Sequence, residues 1–321
     1  MPISTTSSLN NPVPLSVWMK QCQDQIELAL AEFLPAPEQT PTELHQAMRY
    51  AVLDGGKRVR PLLIYAAGQL MAEADHAELT RAACALEMIH AYSLVHDDMP
   101  CMDNDMLRRG KPTVHVKYGQ ATALLVGDAL QAQAFLILSE GKNPAARQLK
   151  MLQILAQASG SLGMCGGQAI DLASVGVSLT RAQLEQMHQL KTGALLRASV
   201  FLGALCGQKP DRQEFNDVEM ATLNSYSHAI GLAFQVVDDI LDATADSAAL
   251  GKTAGKDAAD NKPTYVSILG LEESKHLAEK LRLQAHAALA VFSTPDSNSS
   301  VPGSNTRRLS ELADFIVQRS A

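Results

Sequence analysis

Two aspartate clusters, each followed by a short basic stretch, are the residues of this chain best suited to chemistry. The first reads Asp97-Asp98-Met99-Pro100-Cys101-Met102-Asp103-Asn104-Asp105 and runs on into Arg108-Arg109-Gly110-Lys111. The second reads Asp238-Asp239-Ile240-Leu241-Asp242, with Gly251-Lys252 and Gly255-Lys256-Asp257 beyond it. Carboxylates crowded into apolar helical sequence repel one another and lose hydration, so they persist where cations hold them together. The pattern implies one cavity with two metal-binding walls. On a helix, Asp238 and Asp242 share a face, about 6 Å apart at Cβ. That suits oxygens converging on a hard cation such as Mg²⁺, completed by water and phosphate oxygens. Mn²⁺ would fit the same donors, whereas Ca²⁺ would want more carbonyl ligands. Asp239 is rotated off that face and is expected outside the direct ligands. Asp97 and Asp103 would lie about 120° apart on an ideal helix. Pro100 predicts a break there, letting the chain loop out and return Asp103 to Asp97. A solvated acidic helix end is the plain alternative for either cluster, but aspartates at a helix C-terminus oppose its dipole.

A second kind of site is basic. Gly55-Gly56-Lys57-Arg58-Val59-Arg60-Pro61 starts at a glycine-permitted turn and runs into a helix. Lys57 and Arg60, three apart, can converge on one anion. Arg58 and Lys111, taken singly, read as surface charge. Carboxylates on two walls imply one diphosphate held by metals, and a separate basic pocket implies a second anion held without them.

The elements that must position these groups are helices. Apolar residues recur at three- and four-residue spacing over 15–34, 76–99, 119–138, 144–162, 180–208 and 217–243, and strand-like alternation is hard to find. The fold is expected to be all-α. Segments 82–96 and 226–241 are apolar around most of their circumference, which places them inside a bundle with the aspartates at their C-terminal ends. Breaks at Pro35-Ala36-Pro37, Asp54-Gly55-Gly56, Gly141-Lys142-Asn143-Pro144 and Gly207-Gln208-Lys209-Pro210 are helix stops, none long enough for a domain linker. The reading is a loose tail over 1–14 and a single domain over 15–321. A Ser/Asn/Pro-rich stretch, Ser293 to Asn305, precedes an amphipathic segment, 307–319, expected to cap the bundle or the cavity mouth.

Composition excludes several functions. A net charge of −7 argues against a nucleic-acid partner. Five cysteines with no CxxC pair argue against a disulfide framework or structural zinc and fit a reducing, cytoplasmic compartment. No uninterrupted apolar run has the length of a membrane span, and no arginine precedes Arg49, as a transit peptide would require.

Taken together, LVHDDMPCMDNDMLRRG at Leu94–Gly110, the GGKRVRP run, Lys191-Thr192-Gly193, FQVVDDILD at Phe234–Asp242 and GKTAGKD at Gly251–Asp257 resemble the short-chain trans-prenyltransferases, most of all their bacterial farnesyl-producing members. The likeness runs from about residue 15 to the C-terminus, with the motifs in family order. It implies an isoprenoid-synthase-type helical bundle around a central cavity, a homodimer, and about three Mg²⁺ ions per site. The implied reaction is condensation of isopentenyl diphosphate with dimethylallyl and then geranyl diphosphate, giving (2E,6E)-farnesyl diphosphate. A geranyl or geranylgeranyl synthase, or a regulatory subunit of a heteromeric prenyltransferase, is the alternative. Both clusters are complete, which argues against a regulatory subunit.

Carried onto this sequence, the resemblance makes Asp97, Asp98 and Asp103 one metal wall and Asp238 with Asp242 the other. Arg108, Lys191, Lys252 and Lys262 would bind the allylic diphosphate. Lys57, Arg60, His90 and Arg109 would bind isopentenyl diphosphate, although a histidine in apolar sequence is most often a core residue. Thr192, the Lys191 carbonyl and Gln235 would aim negative dipole ends at the allylic cation, and the departed diphosphate would take the final proton. Tyr92, about 7.5 Å down the helix from Asp97, is the expected floor limiting product length, with Ser93 beside it. Asn104 stands where bacterial relatives often carry another aspartate.

Overall fold

A computed structural model of the protein describes residues 13–70, 74–206, 215, 217–244, 263–293 and 305–319. Among them the chain forms α1 (Leu15–Phe33), α2 (Thr42–Val52), α3 (Val59–Gly68), α4 (His76–Asp97), β1 (Leu107–Arg108), β2 (Lys111–Pro112), α5 (Val114–Tyr118), α6 (Gln120–Ser139), α7 (Ala145–Ser159), α8 (Met164–Ala173) and α9 (Arg181–His188). A π-helical turn, Gln189–Gly193, leads into α10 (Ala194–Cys206), followed by α11 (Asp217–Thr244), α12 (Tyr265–Leu269), α13 (Leu271–Leu289) and α14 (Arg307–Gln318). The all-α expectation holds, apart from the two-residue hairpin β1–β2.

The two helices read as apolar all round are the axis of the core. Residues 82–86, 88 and 89 of α4 have no exposed surface, and Leu223, Tyr226 and Val236 of α11 are equally enclosed. Leu86, Met88, Ile89, Leu223 and Val236 each contribute about 1.5–3 kcal/mol by leaving water. α4 packs on α6, α11 on α13, and α3 on α10. The α3–α10 approach needs a glycine, since a Cβ on Gly203 would come within 2.2 Å of the Ile64 carbonyl oxygen. Tyr226 Oη donates to the Leu309 carbonyl at 2.7 Å and fastens α14 to this axis.

The structure departs from the sequence reading in several places. The segment read as one helix over 180–208 is interrupted by the π turn at Lys191-Thr192-Gly193, a device common at functional sites. The stretch 144–162 ends at Ser159, and α8 is an element the periodicity did not single out. Arg58 is no surface charge. It is 5% exposed and pairs with Glu27 and Glu87, each at 2.7 Å. α6 has the length and composition of a membrane-crossing helix, with less than half of it buried. Contacts such as Gln133 Nε2 to the Phe33 carbonyl at 2.9 Å join it to the bundle. All five cysteines are free thiols.

Candidate active site

The first aspartate wall is shaped by how α4 ends. Asp75 caps the helix start, accepting from the Ala77 and Glu78 backbone amides at 2.9 and 3.3 Å. At the other end Pro100 has no N–H to continue the ladder. The chain then turns back on itself, with Asp103 N donating to Asp97 O at 2.8 Å and Asp105 N to Asp98 O at 3.1 Å. Asp103 thus returns beside Asp97, as the proline predicts. Asn104 takes a left-handed conformation, φ 51°, which asparagine tolerates better than most residues. That gives the Asn104 departure a conformational reason.

Burial pushes the Asp97 carboxyl up to about 6, Asp103 and Asp98 add to the rise, and Lys191 and Arg108 oppose it. Asp98 faces a different partner. Its carboxylate is 2% exposed and is gripped by Arg108, with Nε at 2.9 and 2.8 Å from its two oxygens and Nη2 at 2.6 Å from Oδ1. Asp98 thereby holds Arg108 in place.

The hairpin after this loop aims Arg109. Arg109 and Gly110 occupy its two central positions at φ 53° and 73°, a primed turn that costs a non-glycine residue of order 1–3 kcal/mol. The strained arginine lays its guanidinium on the Gly55-Gly56 backbone, where a Cβ on Gly55 would lie 2.7 Å from Nη1. Arg60, His90 and Arg109 lie close enough to act on one another, while the charges that act on Lys57 are Arg319 and Asp238. Burial lowers the proton affinity of Lys57, with Arg319 adding repulsion. It lowers that of Arg60 and Arg109, helped by neighbouring arginines. His90 is pushed well below its ordinary value by burial and by Arg60, Arg109 and Arg108, so it is neutral at pH 7. Arg60 Nε is buried with no hydrogen-bond partner among the described residues. Burial is the larger cause at Arg60 and Arg109, Glu87 opposes it at both arginines, and an anion bound beside such desolvated cations would stabilise their charge.

A cavity of about 360 Å³ lies between α4 and the helices that follow it, with Arg60 also on its wall. It is lined by Asp97, Lys191 and Thr192, by Arg60 and His90, and by Tyr92, Ser93, Met164, Cys165, Gln168 and Leu172. Tyr92 is 5% exposed, and its hydroxyl lies 3.6 Å from Cys165 Sγ across the cavity. Lys191 Nζ pairs with Asp171 at 2.6 Å. Its backbone fits against α8 because residue 167 is glycine, where a Cβ would come 2.1 Å from Lys191 N. Thr192 donates to Gln235 Oε1 at 3.1 Å.

The second wall lies on α11. Asp238 is partly exposed and pairs with Arg319 Nη2 at 2.5 Å, while Asp242 is buried. Asp239 turns away from that face, accepting from Gln235 Nε2 and Tyr265 N. Among the described residues no group of three His, Cys, Asp or Glu closes into a ready-made metal site. The donors are hard oxygens on two walls, and the raised Asp97 is a carboxylate short of positive charge; both features fit Mg²⁺ bound together with phosphate oxygens. Lys252, Lys262, Gly251–Asp257 and nearly all of the Ser/Asn/Pro-rich stretch lie outside the described residues.

Sequence reasoning missed Asp171, Gln168 and Arg319. The first two stand in Gly166-Gly167-Gln168-Ala169-Ile170-Asp171, where small residues in a helix were the available signal of close backbone approach. Arg319 left none, because its partner is 81 positions away.

The chain is thus a helical bundle with an aspartate cluster at the end of each of two core helices and with buried cations, Arg60 among them, beside a cavity that Asp97 also lines. The model of the polyprenyl synthetase family matches residues 41–291, and the chain belongs to that family. It is 44% identical to farnesyl diphosphate synthase of Escherichia coli, over 94% of this chain and 98% of that one. Among solved structures it resembles an FPP/GFPP synthase from Zymomonas mobilis, 43% identical with a TM-score of 0.80, over 94% and 98% of the two chains. It also resembles a geranyltransferase from Helicobacter pylori complexed with magnesium and isoprenyl diphosphate, 31% identical with a TM-score of 0.79, over 96% and 98%.

Proposed function

We propose that this enzyme condenses isopentenyl diphosphate with dimethylallyl diphosphate and then with geranyl diphosphate, releasing (2E,6E)-farnesyl diphosphate. The observation that carries the reading is the cavity that Asp97, Lys191, Arg60, His90 and Tyr92 line together. The relatives named farnesyl diphosphate synthase and FPP/GFPP synthase support it.

Asp97 and Asp103 on one wall, and Asp238 with Asp242 on the other, would hold Mg²⁺, with Asp98 contributing through Arg108. The magnesium-bound relative supports this ion; three ions per site, and Mn²⁺ in their place, are the family-based expectation. Bound there, the ion supplies charge neutralisation to a departing diphosphate. Arg108, fixed by Asp98, and Lys191, fixed by Asp171, bind the allylic diphosphate from the protein side; Lys252 and Lys262 would join them. Lys57, Arg60, His90 and Arg109 take the isopentenyl diphosphate, whose charge offsets the desolvation of the three cations. The C–O bond of the allylic substrate breaks with its electrons going to diphosphate. Thr192 and Gln235 stabilise the cation while the apolar wall excludes water. The alkene of isopentenyl diphosphate attacks the cation, and the proton lost from the carbon beside its diphosphate carbon passes to the released diphosphate.

Chain growth stops at Tyr92, with Ser93 beside it on the same cavity wall. We also infer a homodimer, supported by Leu124, Leu125 and Leu136 standing exposed on α6, where a second copy would cover an apolar face. Residues from 15 onward are taken as one domain, supported by a core cluster drawing on helices from α1 to α14. The free thiols fit a reducing cytoplasm.

The test incubates purified protein with Mg²⁺, isopentenyl diphosphate and dimethylallyl diphosphate, and separates the products by length. A dominant fifteen-carbon product supports the proposal. A ten- or twenty-carbon product keeps the chemistry and removes the Tyr92 floor. No condensation with any allylic primer overturns the reading.

A further inference from the structure

Behind the cavity, three elements share one hydrogen-bond chain. Thr192 Oγ1, on the π turn, donates to Gln235 Oε1 at 3.1 Å. Gln235 Nε2, on α11, donates to Asp239 Oδ1 at 2.8 Å. Asp239 Oδ2 accepts from the backbone N–H of Tyr265, the first residue of α12, at 2.8 Å. Asp239 is 4% exposed, one turn along α11 from Gln235, where the two side chains share a face. Among the described residues, one N–H donor meets each of its two oxygens.

This chain has a direction. A carboxylate only accepts, so the Gln235 amide must turn its NH₂ toward Asp239 and its oxygen toward Thr192. The Thr192 hydroxyl spends its proton on that oxygen, and its lone pairs are left for the cavity that Thr192 lines. A neutral amide beside a hydroxyl could equally present N–H and O–H. The buried carboxylate removes that choice.

We infer that Asp239 is a positioning residue that sets the polarity of the Gln235–Thr192 pair, so that acceptor oxygens face an allylic cation. The inference rests on the condensation reading above and deepens it by giving the second aspartate of the α11 cluster a role apart from metal binding. The carboxylate fixes the dipoles before the cation forms, and fixed dipoles stabilise charge without reorganising.

Asp239→Asn inverts the chain. The new amide keeps its oxygen on the fixed Tyr265 N–H and turns its NH₂ to Gln235. The Gln235 amide then turns over, and Thr192 receives N–H in place of oxygen. With Gln235→Glu added, the introduced NH₂ at position 239 again has an oxygen to donate to and Thr192 again meets one, with the pair's total charge unchanged. The experiment measures kcat, KM for both diphosphates, the Mg²⁺ requirement and the melting temperature for wild type, Asp239→Asn, Gln235→Glu and the double variant. Asp239→Asn is expected to lower kcat about 100-fold, the scale of one lost preorganised dipole, with KM and Mg²⁺ requirement little changed. Gln235→Glu alone sets two carboxylates face to face and lowers the melting temperature; the double variant recovers both stability and kcat. The inference is overturned if the double variant recovers neither, if Asp239→Asn leaves kcat unchanged, or if its loss appears as a raised Mg²⁺ requirement, as for a metal ligand. Failure of wild type to condense the substrates would instead refute the condensation reading, whatever the melting temperatures show of the Asp239–Gln235 pairing.

Discussion

Replacing Asp97 with asparagine should stabilise the metal-free protein while removing its response to metal and diphosphate. Asp97 is raised from its ordinary 3.8 to about 6, first by burial and then by Asp103 and Asp98. The folded protein therefore takes up this proton more readily than the unfolded chain. The resulting increment of stability is fully present below pH 3.8 and is lost as pH rises through about 6. A displacement of that size costs the ionised folded state up to about 3 kcal/mol. The carboxylate keeps some solvent contact, so a gain of about 1–3 kcal/mol for Asp97→Asn near pH 8 is the expectation. In a protein this large, that is a rise of several degrees in melting temperature. The gain should shrink toward pH 5, where wild-type Asp97 carries its proton. Adding Mg²⁺ with inorganic diphosphate should raise the wild-type melting temperature by mass action, about 2.7 kcal/mol at one hundred times the dissociation constant, and should raise the variant far less. Thermal melts at both pH values, with and without Mg²⁺ and diphosphate, make the test. An asparagine variant no more stable than wild type at pH 8, or equally stabilised by Mg²⁺ and diphosphate, would refute the assignment of Asp97.

Tyr92→Ala removes the ring that faces Cys165 and should shift the products past fifteen carbons, as chromatography of the dephosphorylated alcohols would show; an unchanged distribution removes Tyr92 from the floor. Arg109→Ala should raise KM for isopentenyl diphosphate about 10–100-fold, the value of a charged hydrogen bond, while KM for the allylic substrate moves little; equal changes in both would contradict the separate pocket. Arg319→Ala frees Asp238 from its 2.5 Å ion pair, so the half-saturating Mg²⁺ concentration should fall; a higher requirement would show that Arg319 supports the metal wall.

Much of the fold was legible because its central helices are apolar on nearly every side, which leaves little alternative to a buried position in a bundle. The return of Asp103 to Asp97 was equally legible, because a proline within the motif permits only a helix stop or a distortion there. The roles inside each cluster were harder to read. Asp97 and Asp98 are adjacent letters, yet one lines the cavity and the other clasps Arg108. Only the direction each side chain takes at the last helical turn separates them. Arg58 read as surface charge because its partners Glu27 and Glu87 stand 31 and 29 positions away. The π turn was hidden because a helix that gains one residue in a turn keeps nearly the same apolar periodicity on either side. The strain at Arg109 could not be anticipated either, since positive φ in a hairpin is ordinarily given to Asn, Asp or Gly.

At the centre of this enzyme's proposed chemistry, one diphosphate is held between two aspartate walls through metal and a second by basic side chains alone. The most direct measurement is a crystal structure of the protein with Mg²⁺, isopentenyl diphosphate and an unreactive thiolo analogue of the allylic diphosphate. Metal ions should join Asp97 and Asp103 to the analogue on one side and Asp238 and Asp242 to it on the other, with a metal-free diphosphate on Lys57, Arg60 and Arg109. Metal at the Lys57–Arg60–Arg109 pocket, or a single diphosphate shared by both sites, would contradict that arrangement.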